Sequence, residues 1–214
     1  MMRLTLPPTG LRLLCLGAHP DDIEIGAGGT VLRLLAENRL AAVRWVVLAA
    51  TSAERAREAQ TSAGRFLAGV PAAEVSVLRY PDGLLPQVTE ALKAEFETLK
   101  SFAPDLILTH YRHDLHQDHR QVSDLTWNTF RHHLIWEYEI PKYDGDLGNP
   151  AALVALSAEQ LARKIELLHL GFPSQVGKHW FDAETFRDLA RLRAVQAGGE
   201  APYAEGFYVR KTLI

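Results

Sequence analysis

Apolar residues recur along this chain in two alternating patterns. Short continuous runs are bounded by Gly, Pro or charged residues, and longer stretches carry apolar positions three and four apart. The first run, Leu13-Leu14-Cys15-Leu16, reads as a buried parallel strand that should stop where Gly17-Ala18-His19-Pro20-Asp21-Asp22 begins. Gly26-Ala27-Gly28-Gly29 reads as a loop opening a helix from Thr30 to Asn38. Ala42 to Ala50 predicts a second strand, and Thr51-Ser52 are caps for a helix from Glu54 to Leu67. Glu74 to Arg79 is a third strand, closed by the turn Tyr80-Pro81-Asp82-Gly83. A helix over Val88 to Phe102 and a fourth strand over Asp105 to His110 follow. Such alternation implies a mostly parallel sheet with right-handed crossovers, a Rossmann-like three-layer α/β/α fold, in one domain over residues 1–214.

The remainder is less regular. Ser123 to His132 is read as a helix, Leu134 to Ile140 as an edge strand and Pro141 to Pro150 as a loop. Ser157 to Leu170 is an amphipathic helix with Ser157 as cap, ended by Gly171-Phe172-Pro173. A last helix opens at Phe181-Asp182-Ala183-Glu184 and runs to Ala197, and Gly206 to Leu213 makes a closing strand.

Composition narrows the function. A net charge of -3 argues against nucleic acid as a partner, which calls for a basic excess. Cys15 is the single cysteine, so no intrachain disulfide and no thiolate zinc cluster can form; among apolar neighbours it is read as core packing. No stretch approaches the ~20 apolar residues of a transmembrane span, and no targeting segment is evident, so a cytoplasmic location is expected. The glycines lack the G-x-G-x-x-G spacing of a dinucleotide site.

Two strands end in polar clusters. One holds His19, Asp21 and Asp22; the other runs from His110 to Arg120. Parallel strands put their carboxyl ends on the same side, where open α/β sheets bind ligands. His19, Asp22 and His119 form an open set of two imidazoles and one carboxylate, leaving a position for water on a zinc ion. Zinc brings the pKa of bound water to about 7. Asp21, pointing away from Asp22, is the natural base. The same donor set accepts Fe2+, Co2+ or Mn2+.

Ala18-His19-Pro20-Asp21-Asp22 together with His116-Gln117-Asp118-His119 resembles the PIG-L/LmbE family of zinc-dependent N-deacetylases. The resemblance implies one Zn2+ per chain on His19, Asp22 and His119, with Asp21 as general base and acid and a protonated His116 stabilising the oxyanion. It implies an N-acetylated amino sugar, an N-acetylglucosamine-type conjugate, as the small-molecule substrate. The family's second motif has proline where this chain has Gln117, which changes loop stiffness but no donor atom. Asp118 is read as a carboxylate that orients an imidazole, and Asp114 either as another or as a residue that caps its loop. Arg55 either holds a substrate hydroxyl or phosphate or pairs with Glu58 on its helix. His179 and Trp180 either line a sugar pocket or pack the late helices. His110 and His113 read as solvated or locally hydrogen-bonded, and Glu24 as a residue that caps its loop. A metal phosphoesterase and a noncatalytic sugar-binding protein are the alternative functions, and a homo-oligomer is left open.

Overall fold

A computed structural model describes residues 6–212. Leu11–Gly17 (β1) lies inside a seven-stranded sheet, hydrogen-bonded in parallel to Leu40–Val47 (β2) on one side and Leu106–His110 (β4) on the other. The order is β3-β2-β1-β4-β5-β7-β6, with β3 Ala72–Val77, β5 Leu134–Tyr138, β6 Ala152–Leu156 and β7 Tyr203–Val209. β7 runs antiparallel between β5 and β6; the other pairings are parallel.

Alternation along β1 sorts its side chains to two helical layers. Leu13 and Cys15 face a core with Ile23 and Val31 of Asp22–Ala36 (α1), Ala63 and Phe66 of Ala53–Phe66 (α2), Leu161 and Leu168 of Ala158–Gly171 (α5), and Phe186 of Ala183–Gln196 (α6). Leu14 and Leu16 face Leu92 and Phe96 of Thr89–Thr98 (α3) and Val122 and Leu125 of Gln117–Thr129 (α4). The expected three-layer arrangement is thus present, with Cys15 buried as expected. No helix among the described residues is long and apolar enough to cross a membrane.

Four sequence expectations need correction. α1 starts at Asp22, so the glycines lie inside a helix rather than in a loop. They are there for close packing: a Cβ on Gly26 would stand 2.2 Å from the ring of Tyr138, and one on Gly29 would stand 2.9 Å from Glu205 Oε1. α4 starts at Gln117 rather than Ser123, which puts Asp118 and His119 on its first turn. β5 is interior, and the edge belongs to β6, which the sequence pattern did not reveal. The closing strand begins three residues early, at Tyr203, and its expected last residue, Leu213, lies outside the described residues.

α1 is also held by charge. Lys164 of α5 donates to Ile25 O (2.5 Å) and pairs with Glu205 of β7 (2.7 Å). Glu205 in turn accepts from Gly29 N (2.8 Å), Thr30 N (2.7 Å) and Thr30 Oγ1 (2.6 Å). Both ionic groups are buried, and each satisfies the other while fixing the helix that carries Asp22.

Candidate metal centre and its cleft

The carboxyl ends of β1 and β4 bring the two polar clusters together. β1 ends at Gly17, Pro20 lies in the turn that follows, and Asp21 takes up a left-handed backbone (φ 91°) as N-cap of α1. A left-handed conformation is uncommon outside glycine and tolerated best by Asp and Asn. It turns the chain so that Asp21 and Asp22 leave in different directions. The Asp22 carboxylate accepts from His19 N at 2.6 Å, closing the turn on itself.

Three donor atoms converge in the cleft. His19 Nδ1 is 3.2 Å from His119 Nε2 and 3.4 Å from Asp22 Oδ2, and His119 Nε2 is 3.5 Å from Asp22 Oδ1. Ligands at ~2.0–2.1 Å around a tetrahedral ion stand about 3.3 Å apart, so the triangle fits one divalent cation without rearrangement. The far nitrogens support this. His19 Nε2 lies 3.0 Å from Asp118 Oδ2 and 3.1 Å from Asp82 Oδ1, and His119 Nδ1 lies 2.9 Å from Asp114 Oδ2. A ligating imidazole characteristically gives its second nitrogen to a carboxylate, which fixes its tautomer. Asp118 is itself held by the N–H groups of Gly83 (2.7 Å) and Leu85 (3.0 Å).

Electrostatics match that assignment. Burial, reinforced by neighbouring His110, lowers the pKa of His119 to about 4, so its ring is neutral and offers a lone pair. Burial would lower that of His19 too, but the carboxylates of Asp118, Asp22 and Asp82 outweigh it and raise it strongly. Such an environment favours a positive charge at the triangle. Asp22 is held ionised, its burial overcome by His119 and His110.

Asp21 differs from its neighbour. Burial raises its pKa to about 7 against the pull of Arg55, with the charge of Asp22 adding to the rise. Arg55 Nη2 donates to Asp21 Oδ2 (2.8 Å) and Pro20 O (2.6 Å), while Nη1 donates to Glu58 Oε2 (2.8 Å). Arg55 is therefore both a helix partner of Glu58 and a brace for Asp21. His116 caps α4, its Nδ1 accepting from Asp118 N at 3.2 Å. An imidazolium could not accept there, and burial together with His19 lowers the ring's pKa. With Nδ1 accepting that bond, Nε2 is the ring nitrogen left to donate.

The cleft beside the triangle encloses about 450 Å3. Asp21, Arg55, Asp82 and His116 share it with Lys142 and Tyr143, from the loop after β5, and with Gln175, Lys178 and Trp180, from the segment after α5. Trp180 therefore lines the cleft; His179 meets it through an edge contact with Tyr143, ring centroids 5.1 Å apart.

Three residues are more involved than the sequence suggested. His110 is fully buried, stacked on His119 (centroids 3.9 Å apart), with Nε2 3.2 Å from Asp22 Oδ2. Its place as the last residue of β4 was the available signal. Asp82 faces His19, where the sequence showed only a turn. Lys142 lies 3.0 Å from Asp114 Oδ2, and nothing local in a polar loop announces that. His113 is exposed and lies outside the cleft lining. Glu24 does not cap a loop: it is buried in α1, where burial pushes its pKa to about 8.

Residues 14–130 match the family described as PIG-L, GlcNAc-PI de-N-acetylase, which is more than half of the chain. Among solved structures, N,N'-diacetylchitobiose deacetylase from Pyrococcus horikoshii is 22% identical, with a TM-score of 0.75 over 93% of this chain and 83% of that one. The conserved protein TT1542 from Thermus thermophilus is 22% identical, with a TM-score of 0.76 over 96% and 97%. GalB, the 4-carboxy-2-hydroxymuconate hydratase from Pseudomonas putida, is 16% identical, with a TM-score of 0.75 over 96% and 98%. Those likenesses establish the fold, and the fold serves more than one reaction.

Proposed function

Since the chain belongs to the PIG-L family, a family of hydrolytic N-deacetylases, we propose that it hydrolyses the acetamide of an N-acetylated amino sugar of the N-acetylglucosamine type. His19, Asp22 and His119 hold one zinc ion in this reading. When bound, the ion supplies Lewis acidity that makes water a competent nucleophile near neutral pH.

The observation that carries the reading is geometric: the donor atoms of His19, Asp22 and His119 converge at a cleft that the adjacent Asp21 carboxylate, braced by Arg55, also lines. Burial raises the Asp21 pKa to about 7, which suits a group that takes and returns a proton near neutral pH. Asp21 accepts a proton from the attacking water and later delivers it to the departing amine nitrogen as the C–N bond breaks. Arg55 keeps the Asp21 carboxylate facing the cleft throughout. His116, neutral, gives its Nε2–H to the oxyanion that develops on the carbonyl oxygen, and Asp118 fixes that ring by donating its N–H to Nδ1. Asp114 and Asp118 orient His119 and His19. The N,N'-diacetylchitobiose deacetylase likeness favours the same substrate chemistry.

The test is acetate release from N-acetylglucosamine, N,N'-diacetylchitobiose and nucleotide-linked N-acetyl sugars by zinc-loaded protein, with and without Asp21→Asn. Loss of a general base costs about 10²- to 10⁴-fold in rate, so Asp21→Asn should retain its metal and lose acetate release on that scale. Undiminished release by Asp21→Asn refutes the assigned base, and no acetate from any substrate refutes the deacetylase reading.

A further inference from the structure

Three cationic side chains other than histidine line the cleft, and two are neutralised internally. Arg55 is shared between Asp21 and Glu58, and Lys142 between Asp114 and Asp146. Lys178 has no carboxylate partner among the described residues. Its Nζ donates to the neutral Gln175 Oε1 at 2.7 Å and lies 6.0 Å from the ring centroid of Trp180. Asp144, a carboxylate on the same rim, makes no ion pair with it.

Lys178 is exposed at the rim of the cleft, and its ammonium is braced there from the protein side. Gln175 is buried and passes its Nε2–H to Ser174 Oγ at 2.8 Å. Ser174 Oγ donates to Glu58 Oε2 at 2.7 Å, and Glu58 holds Arg55, which holds Asp21. An unbroken line of hydrogen bonds thus runs from the proposed base to Lys178. The backbone is tied as well, Lys178 N to Gln175 O (3.1 Å) and Phe181 N to Lys178 O (2.9 Å). A compact ammonium donor held at the rim of a substrate cleft, beside an aromatic face, is suited to an anionic oxygen group on a ligand whose ring packs on the indole.

We propose that Lys178, with Trp180, forms an anion subsite, and that the substrate is an N-acetyl amino sugar bearing a phosphate or carboxylate. The assignment rests on the deacetylase reading for its sugar, and on Lys178 alone for its charge. A single charge-assisted hydrogen bond is worth about tenfold or more in affinity, which sets the expected preference.

The experiment measures binding by calorimetry to the zinc-loaded full chain carrying Asp21→Asn, so that ligands are not consumed. The probes are N-acetylglucosamine, its 1-phosphate, its 6-phosphate and its 6-carboxylate. The phosphates or the carboxylate should bind about tenfold tighter than the neutral sugar, and which of them does so identifies the anion. Lys178→Met should bring that ratio close to one, while Lys178→Arg keeps it; thermal unfolding of both variants shows that they fold. Equal binding of neutral and anionic sugars, or a preference that survives Lys178→Met, overturns the proposal. Acetate release by the native protein, followed in parallel, separates the two ideas. A Lys178-dependent preference without acetate release refutes the deacetylase reading and keeps the subsite. Acetate release without the preference does the reverse.

Discussion

Glu58 shows how a residue outside the donor triangle, bonded to the Arg55 that braces Asp21, contributes to the stability of the fold. It is buried, and burial alone would raise its pKa; hydrogen bonds from Ser174 N (2.8 Å) and Oγ (2.7 Å), with Arg55, hold it below its ordinary value of 4.5 instead. A carboxyl whose pKa is depressed on folding stabilises the folded state fully above the unfolded value, and that contribution is lost as pH falls through the folded one. Glu58→Gln should therefore be less stable than the native chain at pH 7, and the difference should shrink as the pH is lowered below about 4.5. Urea unfolding of both proteins at neutral and acid pH measures this. A difference that stays constant with pH would mean that Glu58 acts through packing rather than charge. Its partners are Arg55 and the distant Ser174, so only Arg55, three residues earlier, marked it as special in the chain itself.

Among the elements, α1 carries the tightest constraint. Gly26 lies against Tyr138, so Gly26→Ala forces one to move, at about 1–3 kcal/mol for an overpacked core. Because Asp22 opens the same helix, reduced metal retention should accompany the lower thermal midpoint. Gly64 in α2 is the control: a Cβ there meets nothing within 4 Å, and replacing a helical glycine by alanine gains up to about 1 kcal/mol. Opposite signs for the two substitutions in thermal unfolding would support close packing of α1; equal effects would reject it. The same helix explains what the sequence concealed. Three glycines within four residues read locally as a loop, and only the neighbours that press on them make a helix there. At α4, the first turn is given to His119 and Asp118, so apolar periodicity begins later, at Val122. β5 is made interior by β7, a strand from the far end of the chain, a pairing no local pattern reports. By contrast β1 and β4 were plain, because strands buried on both faces are apolar throughout, and their polar ends then stand out.

For the whole molecule, the donor triangle joins segments a hundred positions apart, His19 and Asp22 after β1 and His119 on α4. An ion bound there links the turn after β1 to a helix packed on the opposite layer from α1. Any ligand that binds the folded state alone stabilises it by RT ln(1 + [L]/Kd), about 4 kcal/mol at a thousandfold excess over Kd. For a chain of this size, that corresponds to roughly 8–16 °C in the thermal midpoint, at about 2–4 °C per kcal/mol. Stripping the protein with a chelator should lower the midpoint on that scale, and adding zinc should restore it. In His119→Ala the zinc-dependent increment should largely disappear, since two of three ligands remain and Asp114 loses the imidazole it orients. The increment also separates binding from catalysis: Asp21→Asn, which leaves the triangle intact, should keep it in full. A midpoint that does not respond to zinc in the native chain would remove the ion from the site. The deacetylase reading would then lose its nucleophile, whatever the fold.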